Sequence, residues 1–103
     1  MYKLNYMKKF HTPLILNMGT PAEPDPKEVD LYYSEDDGKA GLWYSRKPLP
    51  NIGDRIKRKS SYVNEEDYEA VVLSYLFEAG WIMLQVFVPA TQKKETFFGI
   101  DLA

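Results

Sequence analysis

Residues 68–89 read YEAVVLSYLFEAGWIMLQVFVP, the densest apolar run of the chain, interrupted once at Ala79-Gly80. A helix over 65–79 would be well started, with Asn64 as N-cap, Glu65, Glu66 and Asp67 in the first turn, and Gly80 after the end. Tyr68, Val71, Val72, Tyr75 and Leu76 would share its apolar face, but Leu73 and Phe77 would fall on the polar side. The segment from Val71 to Phe77 is also rich in β-branched and aromatic residues, which suit a pleated surface. A hairpin turning at Ala79-Gly80 pairs Phe77 with Ile82, Tyr75 with Leu84, Leu73 with Val86 and Val71 with Val88, giving one wholly apolar face. Its other face reads Glu78/Trp81, Leu76/Met83, Ser74/Gln85 and Val72/Phe87. A loop one residue longer would set Leu73 against Gln85 and spoil the apolar face. The hairpin is the preferred reading, and it predicts a core lined by Val71, Leu73, Tyr75, Leu84, Val86 and Val88.

Strand signals continue on both sides. Downstream, 89–94 reads as a loop and Glu95–Leu102 (ETFFGIDL) as a last strand with a bulge at Gly99. Upstream, Arg55–Lys59 is a strand in which basic residues alternate around Ile56, and 60–67 is a polar connection. Leu31–Asp36 and Lys39–Tyr44 flank Asp37-Gly38, the dipeptide of a tight hairpin turn. That turn would set Asp36 opposite Lys39 and Tyr32 opposite Trp43, leaving Leu31, Tyr33, Ala40, Leu42 and Tyr44 on the other face. Pro13–Met18 is a short strand, and the three prolines of 19–26 mark an extended loop. Met7-Lys8-Lys9-Phe10 reads as an ordinary translation start, which would make residues 1–6 an upstream addition or a frayed end.

A chain of 103 residues is expected to form one domain, with the Lys47-Pro48-Leu49-Pro50 connector as the seam between an arm-and-hairpin half, 1–47, and a barrel half, 48–103. The absence of cysteine excludes disulfides and thiolate chemistry and fits a reducing compartment. No apolar stretch approaches the ~18 residues of a membrane span, so the expected location is cytoplasmic, without membrane contact. The net charge of −2 hides a segregation. Between residues 46 and 59 six basic side chains face one acid, Asp54, whereas between 23 and 37 seven acids face Lys27. The two segments either neutralise one another or make separate surfaces.

The order PNIGDRI (50–56), EAVVLSYLFEAGW (69–81) and FFGIDL (97–102) resembles that of small, uncharacterised SH3-like barrel proteins of bacteriophages and prophages. Their hairpin has the form V-V-x-x-Y-x-x-E-x-G-[WY], matched by Val71, Val72, Tyr75, Glu78, Gly80 and Trp81. Their closing F-G-[IA]-[DE]-[LI] is matched by Phe98, Gly99, Ile100, Asp101 and Leu102. The resemblance covers the C-terminal half and departs at 60–67, where SSYVNEED replaces a Gly-rich turn. It implies an all-β SH3-like barrel, here with an N-terminal β-hairpin extension, and a phage-like origin. It implies no activity.

Candidate chemistry is sparse. His11, the one histidine, has no neighbouring ligand and reads as a surface residue. Aligning Gly38 with a calcium-loop glycine would place Tyr33 and Tyr44 where acids are required, so a solvated hairpin tip accounts for Glu35-Asp36-Asp37. No nucleophile elbow or phosphate loop is present, and no cofactor, metal or catalytic residue is expected. Two binding surfaces remain. Trp81 follows a tight turn, and with Leu76, Met83 and Phe87 it would form an apolar face for a protein partner or a homodimer unless the N-terminal half covers that face. Arg55, Lys57, Arg58 and Lys59, with Tyr62 nearby, would serve a nucleic-acid-binding barrel. The first reading, a non-catalytic binding or assembly protein, is preferred because the chain as a whole is slightly acidic.

Overall fold

A computed structural model of the chain describes residues 7–35, 37–59 and 68–103. The elements are β1 (Lys8–Lys9), β2 (Leu14–Asn17), β3 (Pro26–Tyr33), β4 (Ala40–Trp43), β5 (Arg55–Arg58), β6 (Tyr68–Glu78), β7 (Trp81–Val88), β8 (Lys93–Phe97) and a 3-10 turn, Gly99–Asp101. The protein is all-β, and the helix considered for 65–79 is a strand wherever that segment is described. Ala79 and Gly80 have φ of 50° and 83°, the two positive values of a type I′ turn, whose twist matches that of the strands it joins.

The sheet runs β1-β3-β4-β7-β6-β5, with β2 also on β3 and β8 also on β7. Leu42 pairs in parallel with Trp81, its amide donating 2.8 Å to the Gly80 carbonyl, so the two halves share one sheet. Gly41 makes this approach feasible, because a Cβ there would collide with Ile82 Cγ1. The sheet then curls. The Lys59 amide donates to the Asp101 carbonyl and the Ala103 amide to the Lys57 carbonyl, both at 2.9 Å, joining the chain end to β5 across an Arg58–Leu102 bridge. The strands β5-β6-β7-β8 thereby curl into a half-barrel, the form of a small β-barrel.

The long hairpin keeps the expected register near its tip, where Glu78, Phe77, Leu76, Tyr75 and Ser74 face Trp81, Ile82, Met83, Leu84 and Gln85. Beyond Ser74 it departs. Leu73 has no partner, and the pairing resumes as Val72 with Val86 and Val71 with Phe87. This bulge overturns the expected core face: Val72 is 1% exposed and Ala70 is buried, whereas Leu73 is 37% exposed. The cause is a conflict of parity. Without the bulge, the alternation that carries Phe77 and Tyr75 inward would carry Glu69 inward too. One extra residue sends Glu69 to solvent and turns Tyr68 inward, edge-on to Phe97 at 5.9 Å. A single core results, in which Tyr32 and Trp43 from the N-terminal half pack with Val72, Leu84, Val86 and Phe97.

The first hairpin is also displaced, by two residues. Tyr32 faces Gly41, and Trp43 faces Asp30. The buried Ser34 accepts the Asp37 amide on Oγ and the Gly38 amide on its carbonyl, holding a wider loop than Asp37-Gly38 alone would make. A shift of two preserves the faces, so Tyr32 and Trp43 share one face as expected, and the structure buries it. Asp36 lies outside the described residues. The last strand differs too: β8 starts at Lys93 and stops at Phe97, and Gly99 opens the 3-10 turn instead of forming a bulge. A Cβ on Gly99 would collide with the Tyr44 carbonyl, so this turn can lie flat against the end of β4 only with glycine there.

Candidate functional site

The Lys47–Pro50 connector lacks strand partners, and three aromatic side chains fasten it by their polar ends. Trp43 Nε1 donates to the Lys47 carbonyl at 2.8 Å, Tyr75 Oη donates to the Pro50 carbonyl at 2.8 Å, and the Leu49 amide donates to Tyr32 Oη at 3.3 Å. Burial, followed by the nearby Asp54 charge, pushes the Tyr75 phenol above its ordinary range. This anchoring gives the segment that follows Trp43 a defined course over the barrel and sets one wall of the surface described next.

At the tip of the long hairpin an open hollow of about 390 Å³ is lined by Trp81 and Met83 from β7, Phe98 and Ile100 from the 3-10 turn, Tyr44, and Met18 from the loop after β2. Phe98 is 52% and Ile100 64% exposed, high for residues of this size at a fixed position. The turn that holds them is well tied: the Phe98 amide donates to Asp101 Oδ2 at 3.1 Å and the Asp101 amide to the Phe98 carbonyl at 3.0 Å. Two apolar side chains are thus presented to solvent on a bonded frame, beside a half-buried indole.

Of the four residues expected on this face, Trp81 and Met83 line the hollow. Leu76, directly across from Met83, is half-buried outside it, and Phe87 is half-buried beyond the Ser74–Gln85 pair, whose side chains hydrogen-bond at 3.1 Å. Val72, grouped with them in the sequence reading, belongs to the core, and Val71 takes its place opposite Phe87. Phe98 and Ile100 were missed because ETFFGIDL was read as a last strand with a bulge at Gly99, a reading that keeps both residues in a sheet and not on an exposed turn. The signal for a turn was Asp101, placed three residues after Phe98 where its carboxylate can accept the Phe98 amide.

The basic residues separate into two groups. Arg58 faces inward at the barrel seam: its guanidinium donates 2.7 Å to Tyr68 Oη, sits 5.4 Å from the Phe97 ring centre and lies 3.8 Å from Glu95. The bond to Tyr68 leads the interactions that raise its pKa further. Arg58 therefore braces the curled sheet beside the Arg58–Leu102 bridge, and a cation held over two rings is removed from the surface set. Arg55, Lys57 and Lys59 point outward, as their alternation required. Lys47, Arg55 and Lys57 line one surface hollow, and Arg46 and Lys59 line a second together with Tyr44 and Ile100. Among the described residues none of these five has an ion pair. The acidic segment pairs elsewhere, Glu35 with Lys8, Asp30 with Lys9 and Asp25 with Lys27, so the two charged segments form separate surfaces. Tyr62 and the rest of 60–67 lie outside the described residues.

No three metal-ligating side chains converge among the described residues, and His11 is exposed. No helix of the described residues is long and apolar enough to cross a membrane. No protein-family model, curated protein or solved structure matches the chain.

Proposed function

We propose that the protein is a non-catalytic binding or assembly module that acts through protein–protein contacts, with the hollow around Trp81, Met83, Phe98 and Ile100 as its contact site. The phage-like origin implied by the C-terminal motifs belongs to this proposal. The observation that carries it is the exposure of Phe98 and Ile100 on a hydrogen-bonded turn. Covering the exposed part of either side chain is worth about 1–2 kcal/mol, and little conformational entropy is lost because the turn is already fixed. An aromatic flanked by aliphatics in a shallow concavity is also the usual composition of an interface hot spot. The test compares the wild type with Phe98→Asp and Ile100→Asp, which alter exposed positions outside the core. Light scattering and tagged capture from native-host lysate should show a complex or self-association that both variants lose. A monomer with the same captured set in wild type and variants would count against the reading.

One observation favours a second reading, a nucleic-acid-binding barrel: the outward basic residues Arg55, Lys57 and Lys59 have no ion pair among the described residues. Retention on immobilised single-stranded DNA or RNA should then fall with salt and be lost in Arg55→Ala/Lys57→Ala. No retention at low salt would eliminate it.

A further inference from the structure

The apolar hollow does not end at Ile100. Tyr44 and Ile100 line both it and the smaller hollow that holds Arg46 and Lys59, so the two hollows adjoin across these side chains. Glu78, exposed and directly opposite Trp81 in the hairpin register at the turn, lines the apolar hollow and not the basic one. The surface therefore has an order: a carboxylate, an apolar floor, then two cations with no ion pair among the described residues. We propose that this groove takes an extended protein segment carrying a large apolar anchor flanked on one side by acidic residues, the anchor seated by Trp81, Phe98 and Ile100 and the acids on Arg46 and Lys59. This deepens the assembly reading above and rests on it.

Charge complementarity decides the occupant. An apolar floor alone would accept any greasy segment, and a basic patch alone would accept any polyanion. Their adjacency across shared residues selects a chain that offers both within a few residues. A single nucleic-acid strand could stack a base on Phe98 or Trp81, but the aliphatic Ile100 offers no stacking face and Glu78 repels its phosphates, so the lining favours a peptide anchor. Glu78 further disfavours an anion at the hairpin end and welcomes a basic residue there, so the groove has polarity along its length.

The two tryptophans make the test direct. Trp43 is 1% exposed with its indole N–H bonded to the Lys47 carbonyl, so a ligand in the groove changes the emission of Trp81. The probes are short capped synthetic peptides: a Leu-Phe anchor with an Asp flank, the same anchor with a Lys flank, the Asp flank with Ser-Ser in place of the anchor, and oligothymidylate. At low salt the acidic anchored peptide should bind about fivefold more tightly than the basic anchored one, the difference expected for two exposed charge contacts. Arg46→Glu/Lys59→Glu should invert that preference, and Arg46→Ser/Lys59→Ser should abolish it. Both side chains are exposed and bonded to nothing else described, so near-ultraviolet circular dichroism should show an intact fold. Anchored peptides that bind without regard to charge would overturn this proposal and leave the assembly reading standing. If no anchored peptide of either charge perturbs Trp81, both fall. Equal binding of the anchorless peptide or of oligothymidylate would make the surface an anion site and overturn the docking groove.

Discussion

Exchanging Val72 for threonine and, separately, Leu73 for glutamine tests the bulge on which the core depends. Val72 is 1% exposed and sits among Leu84, Val86 and Phe97. Threonine has almost the shape of valine, so the substitution creates no cavity and isolates the burial of one hydroxyl. That burial costs about 1–3 kcal/mol where no partner is provided. The Val72 backbone cannot supply one readily: its amide donates to the Asp54 carbonyl at 3.0 Å, and its carbonyl accepts the Gly53 amide at 2.8 Å. Leu73 is 37% exposed and unpaired in the ladder, so a glutamine there keeps the stem packed and turns its amide to water, for a change below about 1 kcal/mol. For a domain of this size 1 kcal/mol moves Tm by about 4–8 °C, so Val72→Thr should melt roughly 5–20 °C below wild type and Leu73→Gln within a few degrees of it. Thermal circular dichroism and urea unfolding followed by tryptophan emission would measure both. A Leu73→Gln loss equal to or larger than that of Val72→Thr would refute the argument, because it would mean that Leu73 points inward and that the hairpin pairs without a bulge.

The half-buried Tyr75 phenol holds its proton more firmly in the fold than in the unfolded chain. Its contribution is therefore fully present below the unfolded value near pH 10 and is lost as pH rises through the higher folded value. Tyr75→Phe should flatten the alkaline end of the stability profile while costing about 1 kcal/mol at neutral pH through the lost bond to Pro50; an unchanged alkaline slope would contradict this. Ala79 occupies the left-handed region, so Ala79→Asn should stabilise the hairpin by about 0.5–1 kcal/mol in urea unfolding, and a loss would show that the turn is not of the type described. Arg58→Met keeps the aliphatic stem over Phe97 and removes the cation. It should cost about 1 kcal/mol after solvent screening, and a double-mutant cycle with Tyr68→Phe should show coupling between the two. Additive losses would dissolve the proposed seam.

Much of this architecture was legible in the chain. The Ala79-Gly80 turn, the strand character of the long hairpin and the common face of Tyr32 and Trp43 follow from local rules: positive φ at two turn positions, β-formers in alternation, and faces repeating every second residue. The outward projection of Arg55, Lys57 and Lys59 follows in the same way from an alternating strand. The bulge was half-legible, since Glu69 shares a parity with Tyr75 and Phe77 that no buried strand could tolerate throughout.

The candidate site required the tertiary structure. Phe98 and Ile100 are separated by about twenty residues from Trp81 and by far more from Tyr44 and Met18, and they meet only because the 3-10 turn presses Gly99 against the Tyr44 carbonyl. The fate of the basic residues was likewise decided in space. Arg58 differs from Lys57 in one step of alternation, yet that step carries it from the solvent face to the seam above Phe97. Sequence determined which residues alternate and where the chain turns, because those are interactions between near neighbours. Only the curled sheet could decide which faces become interior and which cations lack an ion pair among the described residues, because burial and ion pairing depend on what the distant strands bring alongside.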